Sequence, residues 1–153
     1  MAKSSISKLN IEQLFGSIKQ VIEESRNSIY RSANVAMVQA YWHIGKLIVK
    51  EEQNGKERAT YGEELIKKLS EKLSSVYGKG FTETNLKYMR RFYSLFEKGH
   101  AVRGELSWTH YRLLLNVEKE ETRQFYMQEA IEGNWNTRTL ERDLVETEKR
   151  LKK

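Results

Sequence analysis

The chemistry on offer in this sequence is that of cations and hydroxyls rather than of nucleophiles. Between Val76 and Lys98 stand Lys79, Thr82, Thr84, Lys87, Arg90, Arg91, Ser94 and Lys98. Five bases against two acids give these 23 residues a formal charge of +3, half of the +6 carried by all 153 residues. Lysine and arginine neutralise phosphates, and short hydroxyls reach phosphates or base edges. The stretch therefore points to a polyanion, with double-stranded DNA as the expected partner and these eight residues as the expected nucleic-acid-binding set. The bland alternative has equal weight on pattern alone, because a surface helix in a lysine-rich chain often carries a solvated charged face.

Catalytic and metal chemistry find little support. His43, His100 and His110 are scattered over separate segments, and His43 has no His, Asp or Glu three or four residues on to make a metal pair. Gly78-Lys79-Gly80 resembles a fragment of a phosphate loop but lacks its spacing and its preceding strand. With no nucleophile motif beside these groups, the expectation is no catalytic residue, no metal and no cofactor. The absence of cysteine removes disulfides and thiolate metal sites and fits a cytoplasmic protein. No apolar run reaches the roughly 18 residues of a membrane span, and with the polar start Met1-Ala2-Lys3-Ser4-Ser5 no signal peptide is expected.

The cationic set needs a scaffold, and its spacing supplies one. Gly78 and Gly80 tolerate positive φ, which a sharp exit from a helix requires. Thr82 is a good N-cap, with Phe81 and Leu86 placed as a hydrophobic staple around it. At 100° per residue, Asn85, Leu86, Tyr88, Met89, Phe92, Tyr93 and Phe96 fall on one side of the following helix. Thr84, Lys87, Arg91, Ser94 and Lys98 fall on the other, with Glu83 and Arg90 at the border. Asn85 is polar yet on the inward side, so its amide is expected to bond backbone near the turn. The preceding helix starts with a capping box at Thr60 and Glu63 and carries Leu65, Ile66, Leu69, Leu73 and Val76. The pair reads as a helix-turn-helix.

The rest of the chain is also helical. Asn10 is a plausible cap, and Ile11, Leu14, Phe15, Ile18 and Ile22 repeat at helical spacing. A second stripe runs from Ile29 through Met37, Tyr41, Ile44 and Ile48, and the weak break Arg26-Asn27-Ser28 leaves two helices or one long bent helix open. Gly45, inside that stripe, costs about 1 kcal/mol against alanine and is expected to mark the close approach of another backbone. Glu51–Arg58 reads as a polar connection. Residues 97–105 form a glycine-containing loop where a winged domain would carry at most a rudimentary β-hairpin. Ser107 caps a short helix from Trp108 to about Asn116, with His110 and Arg112 off its apolar face. A further helix carries Thr122, Phe125, Tyr126, Ala130 and Ile131 and ends at Gly133. Asn136, between Trp135 and Leu140, caps a last polar helix. The chain contains no proline. The fold class expected is all-α, a helix-turn-helix or winged-helix-like bundle, with a core that includes Phe15, Ile18, Met37, Tyr41, Ile44, Leu69, Leu73, Leu86, Met89, Phe92, Trp108 and Leu114.

Five ordered segments carry a resemblance. They are Tyr41-Trp42-His43-Ile44-Gly45-Lys46; Gly80-Phe81-Thr82 followed by Asn85-Leu86; Met89-Arg90-Arg91-Phe92-Tyr93; Leu106-Ser107-Trp108-Thr109-His110; and Trp135 with Arg138, Leu140, Glu141 and Arg142. Over residues 10–146 the chain resembles the N-terminal domain of the YhcG-like bacterial proteins, nucleases of the PD-(D/E)xK superfamily. The resemblance implies a winged helix-turn-helix-like, DNA-binding unit that works with a separate nuclease domain, in cis or in trans. Two departures stand out. Glu83 and Thr84 occupy positions where the family often has arginine, and no PD followed by (D/E)xK occurs before Lys153. The nuclease activity therefore does not carry over, and this chain is not expected to be an enzyme. The expected organisation is a flexible leader over 1–9, the helical domain over 10–136, and a C-terminal polar helix over 137–153. That last helix is the expected connector to a nuclease domain or contact between copies. The competing reading from the residues themselves is a helical protein–protein interaction or oligomerisation module.

Overall fold

The computed structural model describes the backbone of residues 2–55, 61–96 and 106–151, and the side chains of 10–55, 61–96 and 106–150. The described residues form six helices and no strand: α1 (Ala2–Asn54), α2 (Tyr61–Tyr77), α3 (Glu83–Leu95), α4 (Trp108–Leu115), α5 (Glu120–Glu132) and α6 (Thr137–Leu151). The all-α class is as expected. The segment where a wing was expected, 97–105, and the Thr60 half of the capping box lie outside the described residues. The chain divides into two units, Met1–Ala33 and Asn34–Lys153.

The first unit is helix alone. α1 is helical from Ala2, so Asn10 lies inside a helix instead of capping one, and Arg26-Asn27-Ser28 passes without a break. Phe15 and Ile18, expected in the core, are 66% and 48% exposed. The physical reason is simple: periodicity reports that a helix has an apolar face, whereas burial needs a second element, and this unit has none.

The second unit contains the core, in two clusters. One gathers Val38, Phe92, Phe96, Leu106, Tyr111, Leu114, Leu115, Ala130 and Leu140; the other gathers Ile48, Ile66, Leu86 and Met89. Half-buried Trp108 packs against both. It meets Tyr41 edge-on at 4.9 Å and Phe92 at 5.5 Å. Tyr41, Ile44, Leu69 and Leu73 pack around the second cluster as partly buried side chains. The buried line of α1 runs Val38, Gly45, Ile48, so Met37, one residue away, turns outward and is 48% exposed. Val76 and Phe125 are exposed as well, at the outer edges of their stripes.

Local chemistry explains where the helices of this unit begin and end. Ser107 and His110 form a capping box at α4. Glu120 and Glu121 in the first turn of α5 complement the helix dipole, and Gly133 closes that helix as expected. Asn134 then takes φ 51°, a left-handed conformation that asparagine tolerates better than most residues. Asn136 Oδ1 accepts the Thr139 N–H at 2.8 Å at the start of α6, whose last turn carries Lys149 and Arg150.

Gly45 shows why a helix former was given up. A Cβ there would overlap the carbonyl oxygen of Met89 and stand 3.1 Å from Tyr93 Cβ. The α1 backbone touches the α3 backbone at this point, as expected from the sequence. Trp42 reinforces the contact: its Nε1–H donates to the Phe96 carbonyl at 2.8 Å, just past the end of α3. The helix that carries the cationic face is thereby fixed by α1 along its inner side.

Candidate nucleic-acid interface

The turn between α2 and α3 is built by short-range bonds. Gly78 and Gly80 take φ of 75° and 113°, the conformations that favour glycine. The Gly78 N–H donates to the Ser74 carbonyl at 2.9 Å and closes α2. Ser70 Oγ donates to the Phe81 carbonyl at 2.7 Å, which ties the turn back onto α2. Thr82 caps α3, its Oγ1 accepting the Asn85 N–H at 3.1 Å. Asn85 Nδ2 in turn donates to the Gly80 carbonyl at 3.0 Å. The inward-facing amide is satisfied by the turn it helps to hold.

α3 then presents two faces. Leu86, Met89 and Phe92 are buried. On the opposite side Thr84, Lys87, Arg91 and Ser94 are exposed, and so is Lys79 in the turn. Lys87, Arg90, Arg91 and Ser94 form one wall of an open groove of about 630 Å³, and Val49, Glu52 and Gln53 from the end of α1 form the other. Of the eight residues singled out, four thus converge on one groove, and Thr84 and Lys79 lie on the exposed surface of the same helix-turn unit. Lys98 lies outside the described residues.

Three of the eight have structural partners already. Thr82 is exposed, but its hydroxyl oxygen serves the cap. Arg90 is half-buried, with Nη1 2.9 Å from Glu52 Oε1. Ser94 Oγ donates to the Arg90 carbonyl at 3.1 Å, as a serine within a helix commonly does. Among the described residues, the free cations of the groove are Lys87 and Arg91. Reading the sequence missed Val49, Glu52 and Gln53. Glu52 stands 38 positions before Arg90, in a stretch that looks like a polar connection, and nothing local links it or its neighbours to α3.

His43 is exposed and stacks edge-on against Trp42 at 5.1 Å. His110 has a structural role instead. The Ser107 N–H donates to its Nδ1 at 3.2 Å, so that nitrogen is unprotonated, and Nε2–H donates to the Trp135 carbonyl at 2.8 Å. It links the start of α4 to the turn before α6, a role no spacing rule indicated. Among the described residues no three His, Asp or Glu side chains come close enough to hold a metal ion. No described helix is long and apolar enough to cross a membrane.

Comparison with known proteins agrees with this architecture being a recurrent domain. Residues 17–148 match the family model described as the DUF1016 N-terminal domain. The chain is 32% identical to the protein named "Putative nuclease YhcG" from Escherichia coli strain K12, over 88% of this chain and 44% of that protein. It thus spans less than half the length of that curated relative. No solved structure matches. With most of its length covered by the family model, the chain belongs to the DUF1016 N-terminal domain family.

Proposed function

We propose that this chain is a cytoplasmic DNA-targeting module of a nuclease system, without catalytic residues of its own. The observation that supports it best is the exposed cationic face of α3. Lys87 and Arg91 stand free at the groove, Thr84 lies on the same face, and the glycine turn presents Lys79 beside it. Lys79, Lys87 and Arg91 contact phosphates, while Thr84 and Ser94 lie near base edges and bias sequence. The nuclease would be supplied by a separate domain, in cis or in trans, as the relative's name suggests.

Charge reversal separates this reading from an ordinary solvated face. Lys87→Glu with Arg91→Glu should weaken duplex binding strongly. It should also flatten the slope of log affinity against log salt by roughly 0.9 for each phosphate no longer neutralised. Lys67→Glu with Lys68→Glu, on the exposed side of α2, should do much less. Fluorescence anisotropy with a labelled random duplex at several salt concentrations reads both quantities. Equal losses in the two variants, or no binding by the wild type at low salt, would refute the module.

A second reading rests on a different groove. About 450 Å³ opens between α4, α5 and α6, where Leu113, Val117, Leu144 and Val145 provide apolar walls. Val145 is 42% exposed there. In this reading α6 receives a partner protein, a nuclease domain or a second copy. Val145→Asp should then abolish that association and leave duplex binding unchanged, as measured by light scattering and anisotropy side by side.

A further inference from the structure

The apolar stripe of the first unit has no role in either reading above. Ile11, Phe15, Ile18, Ile22 and Ile29 are 46–66% exposed, and Leu14 and Val21 beside them are 60% and 62% exposed. Scattered apolar residues on a surface need no explanation, but a contiguous stripe of this kind marks an interaction site. The spacing is specific. Steps of 4, 3, 4, 3 and 4 link Ile11, Phe15, Ile18, Ile22, Ser25 and Ile29. That is the 3.5-residue period of a coiled-coil seam, narrower than the broad face of a helix packed in a globular core. We infer that residues 11–29 of α1 pair with the same residues of a second copy of this chain, as an antiparallel two-helix coiled coil.

The choice of partner and direction comes from the side chains themselves. In an antiparallel pair centred near residue 20, Ile11 lies across from Ile29 of the second copy, and Ile18 from Ile22. Phe15, the largest seam residue, lies across from Ser25, the smallest. All six seam positions are matched in volume by this arrangement. A parallel pair would instead set Phe15 on Phe15 and Ser25 on Ser25, which leaves one layer crowded and one polar.

Charge on the flanks agrees. Glu12 and Arg26 occupy equivalent flanking positions, so the antiparallel pair sets each Glu12 against the Arg26 of the other copy, twice by symmetry. Lys19 meets its own copy at the centre, an exposed contact that costs little. The other flank carries Leu14, Val21 and Ser28, with no charge to oppose pairing. A parallel pair would put Leu14 beside Lys19 and Val21 beside Arg26, and would form no ion pair among these residues. A partner of different sequence would need both the seam volumes and the flanking charges supplied anew. A second copy supplies both.

Sedimentation velocity on the whole chain tests the pairing, and the absence of cysteine makes its direction readable. The wild type should run at twice its 18.1 kDa mass. Ile18→Asp with Ile22→Asp should run as a monomer while its far-ultraviolet circular dichroism still reports folded helices. Glu12→Arg should weaken association by about tenfold, since two attractive flank pairs become repulsive. Adding Arg26→Glu should restore it to within about twofold of wild type. A single Val21→Cys should cross-link to its own copy and a single Ile29→Cys should not, because only antiparallel pairing brings the two Val21 positions together and keeps the two Ile29 apart. A monomeric wild type at micromolar concentration would overturn the inference. So would failure of the charge swap to rescue, or efficient cross-linking at position 29.

Discussion

Three positions carry consequences out of proportion to their size. At Gly45 a methyl group has no space, because it would overlap the Met89 carbonyl of the facing helix. Gly45→Ala should therefore destabilise the chain by about 1–3 kcal/mol or more despite alanine's better helix propensity, as read from urea denaturation. At His110 both ring nitrogens are engaged, one by the Ser107 N–H and the other by the Trp135 carbonyl. His110→Ala should cost about 1–3 kcal/mol by leaving half-buried backbone groups without partners, and the Ser107 amide should exchange faster in hydrogen-exchange measurements. Glu52 is the acid in the cationic groove, paired with Arg90 across two partly exposed side chains. Such a pair contributes under about 1 kcal/mol to stability. Glu52→Gln should leave the melting temperature nearly unchanged and tighten duplex binding at low salt, because it removes a negative charge and releases Arg90. Weaker duplex binding by that variant would count against the groove as a phosphate site.

At the scale of elements, the turn before α3 is the part most fully legible in the residues. Gly78, Gly80, Thr82 and Asn85 each act within a few positions of themselves, so their types alone indicate positive φ, a cap and a satisfied amide. Thr82 and Asn85 act on one turn and should be coupled. Thr82→Ala should cost about 1 kcal/mol, and the double variant with Asn85→Ala should depart from additivity by at least about 0.5 kcal/mol. The caps at Asn136 and Ser107 and the end of α5 at Gly133 were legible for the same reason, whereas the return bond between His110 and the Ser107 N–H was not. The length of α1 was not, since Arg26-Asn27-Ser28 has weak helix formers but nothing that stops a helix. Nor was the buried line through Val38 in place of Met37. A shift of one residue turns a helix by 100°, and only the facing elements decide which of two adjacent apolar residues goes inside.

For the molecule as a whole, the limits of legibility lie in contacts between segments far apart in the chain. Arg123 is 4% exposed, donates through Nη1 to the Val117 carbonyl at 2.9 Å and lies 6.0 Å from the Phe96 ring. A lone arginine in a polar helix gives no hint of such a position. The groove beside α3 was half legible: its α3 wall was expected, and its α1 wall was not. Whole-chain kinetics offer a further test. With no proline in the sequence, refolding should lack the phase of about 10–100 s that prolyl isomerisation imposes. Stopped-flow fluorescence from the three tryptophans would detect one. Any slow phase that does appear should depend on protein concentration, as assembly of two copies does and isomerisation does not.

Gly45 and Gly16 are both glycines in α1, yet they should have different histories. A Cβ at Gly16 would meet nothing within 4 Å, and one at Gly45 would meet backbone. Drift at position 16 is unopposed by packing, and alanine there should even strengthen the helix by up to about 1 kcal/mol. Position 45 offers no such freedom, because a backbone carbonyl cannot retreat as a flexible side chain can. Across many related chains, position 45 should hold glycine while position 16 samples widely. Where a relative has lost the glycine at 45, its α3 should have shifted outward, carrying the cationic face with it.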